Sequence, residues 1–185
     1  MKTGALITIA SCAAAVSAHG MIREPPARAT GPAMVKACGR QAVASVNADD
    51  TIPLEDVVAP LPSCKLNLCR GATWQDNKSL LQLLSAGDIV NFQVDLAIPH
   101  EGPCNVSIVD TKTNSVIGQP LISFDSYADE KLARLPANNT NFDVVMPQLR
   151  QNQCKQPGRC VLQWFWVGTA ARQTYESCVD FVMTA

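Results

Sequence analysis

Histidine is scarce in this chain, with two among 185 residues against 15 Lys+Arg and 16 Asp+Glu. The near balance of charge, a formal −1, argues against a polyanion or an anionic membrane as partner, since either is held through a basic excess. Beyond the first residues no run approaches the roughly 20 apolar residues that a membrane-spanning helix needs. No two cysteines stand at CxxC spacing, which removes the commonest zinc arrangement. Internal repeats and low-complexity linkers are missing, and no pair of carboxylates is placed like the facing pair that glycoside hydrolysis requires.

What is present begins with a leader. Lys2 precedes a short apolar run that ends in Val16-Ser17-Ala18, the small-residue pattern after which signal peptidase cuts. The expected organisation is a signal peptide over residues 1–18 and a single domain over 19–185, a length that suits one core. The mature protein is expected to be secreted, extracellular and monomeric, with no nucleic-acid or membrane partner and no further module after the last strand. Without Lys2 it carries 14 basic against 16 acidic side chains.

Cys12 leaves with the leader, so seven of the eight cysteines remain. In an exported chain they read as disulfides with one thiol left over. Short separations favour Cys64 with Cys69 and Cys154 with Cys160, leaving Cys38 a distant partner such as Cys178, and Cys104 as the odd residue. Three sequons, at Asn77, Asn105 and Asn138, are open to glycosylation.

From Ile89 to Ile98 the apolar residues Val90, Phe92, Val94, Leu96 and Ile98 alternate with Asn91, Gln93, Asp95 and Ala97, which predicts a half-buried strand. Further strands are predicted in CNVSIVD from Cys104, VIGQPLISF from Val116, FDVVM from Phe142, CVLQWFWVG from Cys160 and SCVDFVM from Ser177. The fold class is all-β: an immunoglobulin- or fibronectin-III-like antiparallel sandwich. Residues 23–75, rich in proline and poor in alternation, read as a long loop with short helical turns, stapled by cysteines. Residues 80–84, LLQLL, fit strand or helix equally.

The position of His19 gives it a distinct chemistry. Cleavage after Ala18 would make it the first residue, and an amino-terminal histidine offers one metal two nitrogens, the α-amine and the ring Nδ1. With an imidazole nitrogen from His100 the set becomes three nitrogens in a plane, a T-shaped histidine brace that suits Cu(II). Taken singly, each histidine is as well read as a surface or hydrogen-bonded residue.

The segments HGMIREPPARATGPAMVKACG, CKLNLCRGATWQDN, AIPHEGPCNVSIVDT, CVLQWFWVGT and RQTYESCVDF together resemble fungal lytic polysaccharide monooxygenases, and within them auxiliary-activity family sixteen. The resemblance implies an enzyme with one copper ion, bound by His19 and His100 with Tyr175 at the axial position. Gln173 would be the amide facing the site where the oxygen species binds, or equally an ordinary exposed glutamine, and Tyr175 has the competing reading of a core or rim aromatic with its hydroxyl satisfied locally. The resemblance further implies C1 oxidation of a crystalline polysaccharide, cellulose before chitin, with an external electron donor. Many cellulose-active relatives carry a further histidine near the metal, and this chain has none to spare; Gln163 or Glu101 would have to serve, or the role is unfilled.

Other residues have two readings each. Trp74 and Tyr127 could stack on sugar, although aromatics are more often buried. Trp164 and Trp166 share a strand face and read as core rather than electron relays. Asp49, Asp50, Glu55 and Asp56 read as a solvated loop face rather than a calcium site. A thiol at Cys104 beside a redox copper would be exposed to oxidation. The competing functions are a copper-uptake protein with the same brace and a non-catalytic carbohydrate-binding module.

Overall fold

The computed structural model describes residues 19–184; the expected leader, with its cleavage signal and Cys12, lies outside them. The described elements are β1 (His19–Glu24), α1 (Pro32–Cys38), α2 (Arg40–Ala48), β2 (Gln82–Leu84), β3 (Ile89–Ile98), β4 (Gly102–Asp110), β5 (Ser115–Val116), β6 (Ile122–Tyr127), β7 (Asn141–Val145), β8 (Cys160–Gly168) and β9 (Gln173–Met183). One sheet has the order β1-β3-β7; the other runs β2-β9-β8-β4-β5, with β6 also paired to β4. Every pairing is antiparallel except β2 with β9. The result is the mostly antiparallel, immunoglobulin-like sandwich that the strand pattern implies.

Strand β3 shows the alternation its sequence predicts, with Val90, Phe92 and Val94 buried and Ile89, Asn91 and Gln93 exposed. The inward face meets the other sheet through aromatic rings. Phe142 of β7 meets Phe124 of β6 edge-on across the two sheets with centroids 5.4 Å apart; within the sheets Phe92 stacks on Phe142 at 5.6 Å and Tyr127 meets Trp166 edge-on at 5.8 Å. Trp164 and Trp166 are fully buried among them, so both tryptophans are core, as expected. The predicted strand from Val116 is interrupted: β5 and β6 flank a break at Gly118-Gln119-Pro120, where proline cannot donate to a ladder.

Strand β9 is buried on both faces from Tyr175 to Met183. Its inward face (Tyr175, Ser177, Val179) belongs to the core, while Glu176, Cys178 and Asp180 point the other way. The region read as a long loop covers that outer face. It is more ordered than expected, holding α1, α2 and a second apolar cluster of Met34, Cys38, Ala42, Val43 and Val46. Arg28 grips Asp180 through two bonds of 2.7 Å, and Arg70 donates its backbone N–H to Glu176 at 3.3 Å. Residues 78–84, left open by the sequence, divide into a 3-10 turn (Lys78–Leu80) and β2.

Two expected disulfides are corrected. The bridges are Cys38–Cys64, Cys69–Cys178 and Cys154–Cys160, so only the last was anticipated. Cys64 is turned back toward α1, where Leu61 N–H bonds the Cys38 carbonyl and Cys64 N–H bonds Leu61. Docking of Arg70 on Glu176 lays Cys69 on the outer face of β9, beside Cys178. Cys104 is free and buried, as the count of cysteines implied.

Candidate metal centre

The first strand delivers His19 to one end of the sandwich. It runs against β3, with His19 opposite Ile98 and Gly20 opposite Leu96, and the ladder shifts register between those two pairs. Such irregularities re-aim side chains at sheet ends. Strand β3 ends at Ile98, and His100 sits two residues on, in the turn before β4. The two histidines therefore belong to the same corner of the fold, brought there by a strand pairing that no local sequence signal announces.

Trp166 organises that corner. Its indole N–H donates to the His100 carbonyl at 3.2 Å, and its ring stacks on Tyr175 with centroids 4.4 Å apart and planes 25° from parallel. Tyr175 donates its hydroxyl to Gln173 Oε1 at 3.0 Å. Backbone also approaches closely. A methyl on Gly20 would lie 3.0 Å from the Trp166 ring, and one on Gly168 would lie 3.1 Å from the His100 Cβ. The structure thus brings together His19, His100, Gln173 and Tyr175, the four residues singled out by the sequence. His100 is 8% exposed and Tyr175 1%, so both side chains are largely covered.

Carboxylates surround this corner. Asp49 Oδ2 lies 3.0 Å from His19 Nε2, while its other oxygen accepts the Thr51 N–H at 2.8 Å and the Thr51 hydroxyl at 2.5 Å. Burial would raise the Asp49 pKa, but the Thr51 hydrogen bonds, with help from His19 and Arg70, bring it below the usual range. Glu55 accepts the Thr174 N–H at 2.8 Å. Glu130 accepts the Glu101 N–H at 2.7 Å, and that bond chiefly, with the neighbouring His100 among lesser causes, lowers its pKa. The Tyr175 hydroxyl is pushed well up, by burial first and by the charges of Glu55 and Asp56 next.

Some expectations hold here and others change. Asp49, Asp50, Glu55 and Asp56 keep the partial or full exposure expected of a loop face, while Asp49 also contacts His19, Glu55 accepts the Thr174 N–H and Asp50 is tied to Arg23 at 2.5 Å. Gln163 pairs in register with Cys178, on the face away from Trp166 and Tyr175, and bonds Glu176; it does not face the histidines. Tyr127 is fully buried, with its hydroxyl donated to the Asn139 carbonyl. Trp74 packs against Gly158, beyond the Cys160 end of β8, whereas His100 packs at the Gly168 end. Nine residues at about 3.3 Å each separate those ends. Neither aromatic is placed to stack on sugar beside the histidines. Glu130 was missed, and no pattern in the sequence distinguishes it from other exposed carboxylates.

Among the described residues no group of three or more His, Cys, Asp or Glu side chains is gathered as a metal site. A site built from two imidazoles and a main-chain amine would not form such a group. The family described as "Lytic polysaccharide mono-oxygenase, cellulose-degrading" matches residues 19–181. The chain belongs to this family, whose members are copper-dependent enzymes that oxidise polysaccharides.

Solved structures with a similar outline include the cellulose-active monooxygenase CelS2 in complex with copper (13% identity, 89% of this chain and 98% of that one, TM-score 0.49). Others are the catalytic domain of a lytic polysaccharide monooxygenase from Listeria monocytogenes (13%, 90% and 100%, 0.49) and a chitin-binding domain from Burkholderia pseudomallei (13%, 90% and 100%, 0.47). No curated protein sequence matches the chain at a significant level.

Proposed function

We propose that this chain, once cut after Ala18 and secreted, would hold one copper ion through the His19 α-amine and Nδ1 and an imidazole nitrogen of His100, with the Tyr175 phenol as a further group at the site. The residues present fit that ion: the donors are neutral nitrogens from two imidazoles and an amine, the set Cu(II) prefers, and they stand beside a phenol. The observation that supports the reading is that β1 pairs His19 with Ile98, two residues before His100, while Trp166 holds the His100 carbonyl and stacks on Tyr175, whose hydroxyl bonds Gln173.

When bound, copper supplies the one-electron chemistry that lets dioxygen or hydrogen peroxide remove hydrogen from a glycosidic carbon. The protein supplies orientation. Trp166 fixes the His100 backbone and the plane of the Tyr175 ring, and Tyr175 in turn orients the Gln173 amide through its Oε1.

The finer assignment is cellulose as substrate, with attack at C1 by a member of auxiliary-activity family sixteen. It is supported by the five sequence segments and by the retained Gln173-x-Tyr175 pair. An external reductant and a monomeric, extracellular protein complete the reading. The test is copper-loaded protein starting at His19, given reductant and phosphoric-acid-swollen cellulose, with mass spectrometry of the soluble products. Aldonic acids that vanish in His100→Ala support the proposal; their absence from a copper-binding wild type overturns it. That second outcome would favour copper carriage without oxidation, the reading to which the outward-turned Gln163 lends weight.

A further inference from the structure

We propose that Asp49 is a positioning residue for the metal, holding the His19 ring in the one tautomer and orientation that lets it chelate. The inference rests on the reading of His19 as a copper ligand. An ionised carboxylate only accepts hydrogen bonds, so the 3.0 Å contact between Asp49 Oδ2 and His19 Nε2 requires the proton on Nε2. In the neutral ring the lone pair is then on Nδ1. That is the nitrogen near enough to the same residue's α-amine to close a chelate ring; Nε2, on the far side of the imidazole, cannot.

The carboxylate is itself held. Thr51 occupies Oδ1 with its N–H and its hydroxyl, which leaves Oδ2 as the oxygen presented to the ring. Thr51 is in turn fixed to the strand that carries His19, because its carbonyl accepts the Gly20 N–H at 3.1 Å. Asp49, Thr51, Gly20 and His19 form a closed circuit of hydrogen bonds and backbone, so a ring rotation that swapped Nδ1 and Nε2 would break it. Histidines that bind metals commonly donate their second nitrogen in this way, and loss of the acceptor lowers metal affinity about 10- to 100-fold. Asp49 closes α2, and no feature of its sequence surroundings points to His19.

The test uses protein beginning at His19. In the metal-free wild type, nitrogen-15 NMR of the imidazole above neutral pH should show Nε2 protonated and Nδ1 bare; the opposite tautomer, or an even mixture, would overturn the proposal without any variant. Copper titration of Asp49→Ala and Asp49→Asn should show affinity lowered about 10- to 100-fold in the alanine variant and an altered Cu(II) paramagnetic resonance spectrum, with Asp50→Asn as the unaffected control. Wild-type affinity and spectrum in both Asp49 variants would overturn it. If the wild type binds no copper, the reading of the histidines fails, while the NMR result still decides whether Asp49 sets the tautomer.

Discussion

Cys104 is a free, buried thiol in the strand next to the proposed metal centre. It lies on β4 in register with Trp166, the residue that joins His100 to Tyr175. Burial pushes its thiol well above the ordinary range, and the adjacent Trp164 indole opposes this only in part. A neutral, enclosed thiol is a poor nucleophile. In the folded protein Cys104 is therefore expected to resist iodoacetamide and to react only on unfolding, measured by mass spectrometry across a denaturant series; rapid native labelling would contradict its burial. The sequons divide by the same reasoning. The Asn77 side chain donates to the Ala29 and Thr73 carbonyls and accepts the Ala29 N–H, and Asn105 lies in β4 between β6 and β8. Asn138 is exposed. Protein from a glycosylating host should carry its glycan on Asn138, and peptide mapping that finds one on Asn77 would be incompatible with this packing.

At the level of elements, α1 shows how a loop region becomes ordered. Gly31 provides no side-chain cap, so Asp76, forty-odd residues away, accepts the Ala33 and Met34 N–H groups at 2.9 and 2.8 Å. Burial would raise the Asp76 pKa, but those bonds, with that from Thr73, hold it low. A lowered folded pKa means stability that is present above the unfolded value of about 3.9 and lost as pH falls through the folded one. Asp76→Ala should cost about 1 kcal/mol at pH 7, and the gap to wild type should narrow below about pH 4; chemical denaturation at both pH values checks this. Such long-range caps are why the helices were illegible in the sequence while β3 and β8 were plain. Alternation or a dense aromatic run reports directly on burial, but α1, β1 and Asp49 owe their roles to partners elsewhere. The cysteines failed for a related reason. Five residues separate Cys64 from Cys69, yet one faces α1 and the other β9. His19 and His100 stand out in the sequence by residue type and chain position, whereas Gln173 and Tyr175 were reached only through the family resemblance.

Across the whole molecule, the covering layer of residues 25–76 and the sandwich are joined by the Arg28–Asp180 pair, the Cys69–Cys178 bridge and the Arg70–Glu176 contact. The pair is almost fully enclosed, with side chains 5% and 1% exposed, and removing one partner strands a buried charge. Asp180→Ala should therefore lower stability by about 3–5 kcal/mol, read as the shift in urea unfolding. The same layer carries Asp49 to His19 and Glu55 to Thr174, so the covering layer and the proposed metal centre are coupled through one piece of chain. That corner becomes a chelate only if His19 bears a free amine. The most direct measurement compares Cu(II) binding by protein beginning at His19 with protein that retains Ala18, by calorimetry and paramagnetic resonance. The expected result is one copper per chain in a nitrogen-rich site for the first, and affinity lower by about 100-fold or more, some 2.7 kcal/mol, for the second. Equal affinity and identical spectra in the two would contradict the brace.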